Sequence, residues 1–192
     1  SQFVTALHCA GSVPPAETGL LFNSWYGKFH LEMHWWHGVH FAAWDRLHLL
    51  ETSLSYYSRI LPAAREIAQR QGYRGARWPK MVGPDGHDSP SPVGPLLIWQ
   101  QPHPIYYAEL CYRQRPTRQM LEQWKEVVFA SADFMADFAW LDPWQRQFVL
   151  GPPIKTVSEN TDPLTASNPT FELSYWRFGL RAAQTWRERL GM

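Results

Sequence analysis

Apolar positions along this chain recur mostly with helical spacing, and the clearest run lies between Thr117 and Phe138. There Leu121, Trp124, Val128, Ser131, Met135 and Phe138 step by three and four residues, which gathers them on one face of an α-helix. Thr117 offers an N-cap oxygen, and Asp142-Pro143 is expected to end the run. A last helix is predicted from Asn168-Pro169, read as N-cap and first helical residue, with Leu173, Trp176, Leu180, Ala183 and Leu190 on its inner face. Earlier helices are predicted over 32–46, 47–59, 61–71 and 105–113, with Pro62 at the start of the third and Gly72 as its stop. Residues 1–27, holding Gly11, Pro14, Pro15, Gly19 and Gly27, read as irregular backbone, and no strand of any length is apparent.

Two long segments interrupt this pattern. Residues 73–104 carry seven prolines and four glycines, too many for a helix or central strand, yet Trp78, Leu97, Ile98 and Trp99 argue for an ordered loop that roofs a site. A second loop covers 142–168. Six helices in three successive pairs give an all-α fold, read as an (α/α) helical-hairpin toroid of which the 192 residues form a single segment, about half of an (α/α)6 barrel. A stand-alone bundle has the same local pattern.

Composition narrows the function classes. Basic and acidic residues are interspersed and balance to a net charge of +1, so no basic stripe for nucleic acid is present. No apolar run reaches the length of a membrane span. Cys9 and Cys111 share no metal-ligand spacing and read as buried thiols, with a single disulfide as the other possibility. Aromatic residues make up 15 % of the chain, more than a core alone requires, which points to a stacking surface.

The densest aromatic patch is Trp25-Tyr26-Gly27-Lys28-Phe29-His30-Leu31-Glu32-Met33-His34-Trp35-Trp36-His37. A sugar ring offers an apolar face and a fringe of hydroxyls, and this patch supplies aromatic planes beside imidazole and carboxylate. A continuous helix here would align His30, His34, His37 and Phe41, which invites a metal reading, but Glu32 is one residue away from its place in the zinc-protease helix motif and no second ligand cluster is apparent. No metal or cofactor is therefore expected. Further on, Trp99, Gln100 and His103 combine a ring with donors and acceptors, and Asp85, His87 and Asp88 read as a polar turn. Glycoside cleavage needs a carboxylic acid and usually a second group to activate water or attack the anomeric carbon. Glu159, in a Pro-bordered loop, is the candidate acid, whereas Glu172 is accounted for by the first turn of the last helix.

In order, these segments resemble the six-hairpin (α/α)6 glycoside hydrolases, the clan that includes maltose phosphorylases and inverting α-L-fucosidases. The parts that match are Trp25 to Trp36 at the sugar subsite, Gly75-Ala76-Arg77-Trp78-Pro79, Trp99 to His103, and Gly151 to Asn160 as the acid-bearing loop. The chain departs from the family at Lys28 and His30, where the fucosidase-like members carry paired asparagines, and at Gly151-Pro152-Pro153, where the phosphorylases carry an acid. The resemblance implies a glycosidase with Glu159 as general acid and Trp25, Tyr26, His30, Glu32, Trp36, Trp99, Gln100 and His103 lining the carbohydrate subsite. It also implies a periplasmic or extracellular location, and a partner in the remainder of the toroid, from the same polypeptide or another subunit. Two rival readings stand beside it: a polysaccharide lyase on a similar toroid, and a non-catalytic carbohydrate-binding or scaffold protein.

Overall fold

A computed structural model of the chain describes residues 1–17, 22 and 25–192. Helices carry more than half of these, and the fold is all-α with two small hairpin-like ribbons. The helices are α1 (Gln2–Cys9), α2 (His34–Gly38), α3 (His40–Ala43), α4 (Leu47–Arg70), α5 (His103–Gln114), α6 (Arg118–Phe138) and α7 (Thr170–Leu190). Strands β1 (Phe29–His30) and β2 (Met81–Val82) pair antiparallel, as do β3 (Trp140–Asp142) and β4 (Gln147–Val149). No helix among the described residues is long and apolar enough to cross a membrane.

Helix α6 follows its sequence pattern. Leu121, Trp124, Val128, Ser131 and Met135 are buried, and the Thr117 hydroxyl accepts a hydrogen bond from the Met120 N–H at 3.2 Å. Other elements differ from expectation. Helix α4 runs unbroken through Pro62 where two helices were predicted, because Leu54, Tyr57, Leu61, Ala64 and Ala68 keep one buried stripe across the proline. Packing on both sides of Pro62 outweighs the roughly 3 kcal/mol that an interior proline costs. The expected helix over 32–46 is instead the short pair α2 and α3, with His30 in β1, so the aligned histidine face does not form. Residues 2–9 are helical rather than irregular, and Gly19 lies outside the described residues.

Helix α7 begins at Thr170 with Pro169 as its N-cap, and Asn168, at φ 49°, uses its side-chain oxygen to accept from the Leu150 N–H. Its buried stripe is Glu172, Trp176, Gly179, Ala183, Trp186 and Leu190, with Leu173 turned outward. Helix α6 ends at Phe138, four residues ahead of the expected stop, since Trp140–Asp142 pairs as strand.

Cross-contacts fix the direction of each long helix. Arg65 meets Glu126 and Arg74 meets Asp137, so α4 and α6 run parallel. His103 meets Tyr175 and Glu109 meets Trp186, so α5 and α7 run parallel. Phe138 stacks near Trp176 while Arg118 reaches the Leu190 carbonyl, which makes α6 and α7 antiparallel. Both long connections, 71–102 and 139–169, therefore leave and return at one end, while three residues join α5 to α6 at the other.

The connections are ordered by specific contacts. Gly75, at φ 73°, lies so close to α6 that a Cβ would meet the Ala130 carbonyl at 2.3 Å. Trp78 is fully buried and donates its indole N–H to Ser131, and the Gln101 side chain bonds both the N–H and the carbonyl of Trp78. The two loops meet where the Lys155 N–H donates to the Leu96 carbonyl at 2.9 Å.

Candidate active site

The β1–β2 register brings the central carboxylate to its partner. Phe29 faces Val82, His30 faces Met81, and the Leu31 N–H donates to the Lys80 carbonyl, which leaves Glu32 beside Lys80. The Lys80 ammonium lies 3.6 Å from Glu32 Oε1 and also pairs with Glu159 Oε1 from the second loop. One ammonium thus contacts two carboxyl groups, which puts their nearest oxygens no more than about 6 Å apart.

The two acids have different surroundings. Glu32 is 3 % exposed, and its Oε2 is buried with no hydrogen-bond partner among the described residues. Burial pushes its carboxyl up to about 8, with Lys80 opposing and Glu159 and Glu17 reinforcing the shift. The charged form of Glu32 is therefore disfavoured relative to that of a solvated carboxylate. Glu159 is half-buried on a left-handed residue, φ 57°, and sits against the ammonium. Its loop is tied to α7 by Glu172, whose Oε1 accepts from the Val157 N–H at 2.6 Å. Glu172 is 1 % exposed and burial raises its carboxyl above the usual range.

Apart from this pair, an aromatic cleft of about 310 Å3 is lined by Trp35, Trp36, Trp99, His103, Phe171, Ser174, Tyr175 and Phe178, with neither Lys80 nor the two acids among its lining residues. His103 joins the two. A carbonyl only accepts, so Nε2 donates to the Glu32 carbonyl at 3.0 Å and Nδ1 accepts from the Tyr175 hydroxyl at 2.9 Å. Burial pushes His103 down to about 3, which keeps the ring neutral in this tautomer.

Of the residues expected at a sugar subsite, Trp36, Trp99 and His103 share the cleft and Glu32 lies behind it. Trp25 and Tyr26 are exposed on left-handed backbone, Trp25 edge-on to His30 and Tyr26 under Lys28. His30 is buried, bonded to the Lys28 carbonyl and 3.4 Å from Glu17, and burial lowers its imidazole. Gln100 is buried with its amide donating to the Trp78 and Leu97 carbonyls, so it braces the loop, while its Oε1 has no partner. His34 bonds Tyr57 and Ser53 inside the core.

Sequence reasoning did not single out Lys80, Trp35, Phe171, Tyr175 or Phe178. The last three do carry a signal, since Phe171, Tyr175 and Phe178 repeat at helical spacing on the α7 face opposite the buried Trp176. Cys9 and Cys111 are buried free thiols, raised by burial to about 11 and about 12, which makes them poor nucleophiles. No family model and no curated protein matches the sequence.

Proposed function

We propose that this chain is part of a glycan-cleaving enzyme of the glycoside hydrolase class, built on a segment of a helical-hairpin toroid. The parallel ranks α4/α6 and α5/α7, with the connections 71–102 and 139–169 at one end, fit a toroid segment as they fit an up-down bundle, and the toroid is preferred on the order of the motifs. The reaction reading rests on one observation, the Lys80-bridged pair of Glu32 and Glu159, connected to an aromatic cleft by the His103 bond to the Glu32 backbone carbonyl. A hydrolase of this kind needs one carboxyl that carries a proton at working pH and one that does not. Glu32, with its carboxyl near 8 and a free oxygen, suits the proton donor. Glu159, in ion-pair contact, suits the carboxylate that activates water or attacks the sugar. This reverses the role expected of Glu159, because the deeper burial is at Glu32.

The test is turnover of a panel of aryl glycosides. Glu159→Gln is expected to lose about 100-fold or more on every substrate. Glu32→Gln is expected to lose a similar factor on poor leaving groups and much less on dinitrophenyl glycosides, which leave without a proton. Wild-type activity should fall as pH rises through about 8, where Glu32 gives up its proton, and the variant should lack that limb. Wild-type rates in both variants would rule out the assignment.

A further inference from the structure

A second groove, of about 520 Å3, lies along α5 and α7 and is lined by Arg113, Arg177, Arg181 and Arg189, with Glu109 on its wall. Two of these cations are spoken for. Arg113 and Arg189 both donate to Glu109, and Arg189 also lies over the Tyr112 ring. Arg177 and Arg181 are exposed, one turn apart on α7, and neither has an acidic partner among the described residues. Like charges at this spacing repel one another, so the free chain holds two unneutralised guanidiniums side by side.

The groove adjoins the aromatic cleft, since Ser174 and Phe178 line both. One wall of α7 therefore presents ring faces from Phe171, Tyr175 and Phe178 and then guanidiniums from Arg177 and Arg181. Rings suit the apolar face of a sugar, and a planar guanidinium matches a carboxylate or sulfate through two parallel hydrogen bonds. A neutral glycan gives the second half of this wall nothing to pair with.

We infer that the cleft takes an acidic glycan, whose carboxylate or sulfate groups dock on Arg177 and Arg181 in the groove that extends from the aromatic rings. This substrate class rests on the carbohydrate reading of the cleft given above. Binding is followed through tryptophan fluorescence, because Trp35, Trp36 and Trp99 line the cleft. The probes are a galacturonic acid trisaccharide, its neutral methyl ester and a sulfated neutral trisaccharide, titrated into the chain and into the Arg177→Gln, Arg181→Gln double variant.

At least one anionic trisaccharide should bind about 10-fold tighter than the ester, with that advantage shrinking at high salt. In the double variant the advantage should vanish while affinity for the ester stays unchanged; both arginines are exposed, and an unaltered melting temperature verifies the fold. Which anionic sugar shows the advantage identifies carboxylate or sulfate as the group that docks. Equal binding of all three, or an advantage that survives in the double variant, overturns the inference and leaves the carbohydrate cleft standing. Binding of none of the three overturns both.

Discussion

Two carboxylates with little solvent exposure behave in opposite ways. Glu32 is 3 % exposed and Glu109 is 5 % exposed. Burial pushes both upward, but Glu109 accepts from Arg189, Arg113 and the Trp186 indole, and these donors hold it below the ordinary carboxylate range. Glu32 has one ammonium at 3.6 Å, shared with Glu159, and an Oε2 with no partner among the described residues, so burial prevails and raises its carboxyl to about 8. Depth and donors act together: Glu32 is the more deeply desolvated of the two and has fewer donors, whereas three donors fix Glu109 as a structural anchor.

The largest test of this contrast is Glu109→Ala, which strands two arginines and an indole that share one acceptor. It is expected to cost about 4 kcal/mol, read as a drop of roughly 8–16 °C in melting temperature. The wild-type contribution of Glu109 is present above the unfolded carboxylate pKa and is lost as pH falls through the depressed folded value. Glu32 has the opposite sign. Its folded value is raised, so its contribution is complete below about 4.5 and fades as pH climbs to about 8, while the unfolded chain ionises first. Urea titrations across that window should show a wild-type decline on the order of 3 kcal/mol that Glu32→Gln lacks. The smallest effect is expected from Lys80→Met. Removing the one cation beside Glu32 should move the end of that decline upward by about one pH unit, and an unmoved midpoint would mean that Lys80 does not hold Glu32 down.

The sequence made the packing faces legible wherever apolar spacing alone decides them, as in α6 and its Thr117 cap. It misled where one polar group was recruited for a distant partner. Glu172 takes a buried place on α7 that the pattern assigned to Leu173, because the Val157 N–H needs an acceptor. Asn168 likewise serves Leu150 rather than capping α7. The meeting of Glu32, Lys80 and Glu159 was out of reach for the same reason, since it depends on a two-residue strand register and a left-handed residue in another loop. Trp36, Trp99, His103 and Glu32 were legible as chemistry, but their division into a cleft and a buried carboxyl was not.

The backbone bond from Lys155 to the Leu96 carbonyl has a mechanical consequence. It crosses between the two loops a few residues from Glu159 on one side and Trp99 on the other. The loop segments that carry Trp99 and Glu159 are thus tied by one backbone bond, so displacing either is expected to strain the other. Amide exchange at Lys155 and at Trp78, whose N–H is held by Gln101, would then report a shared opening rate.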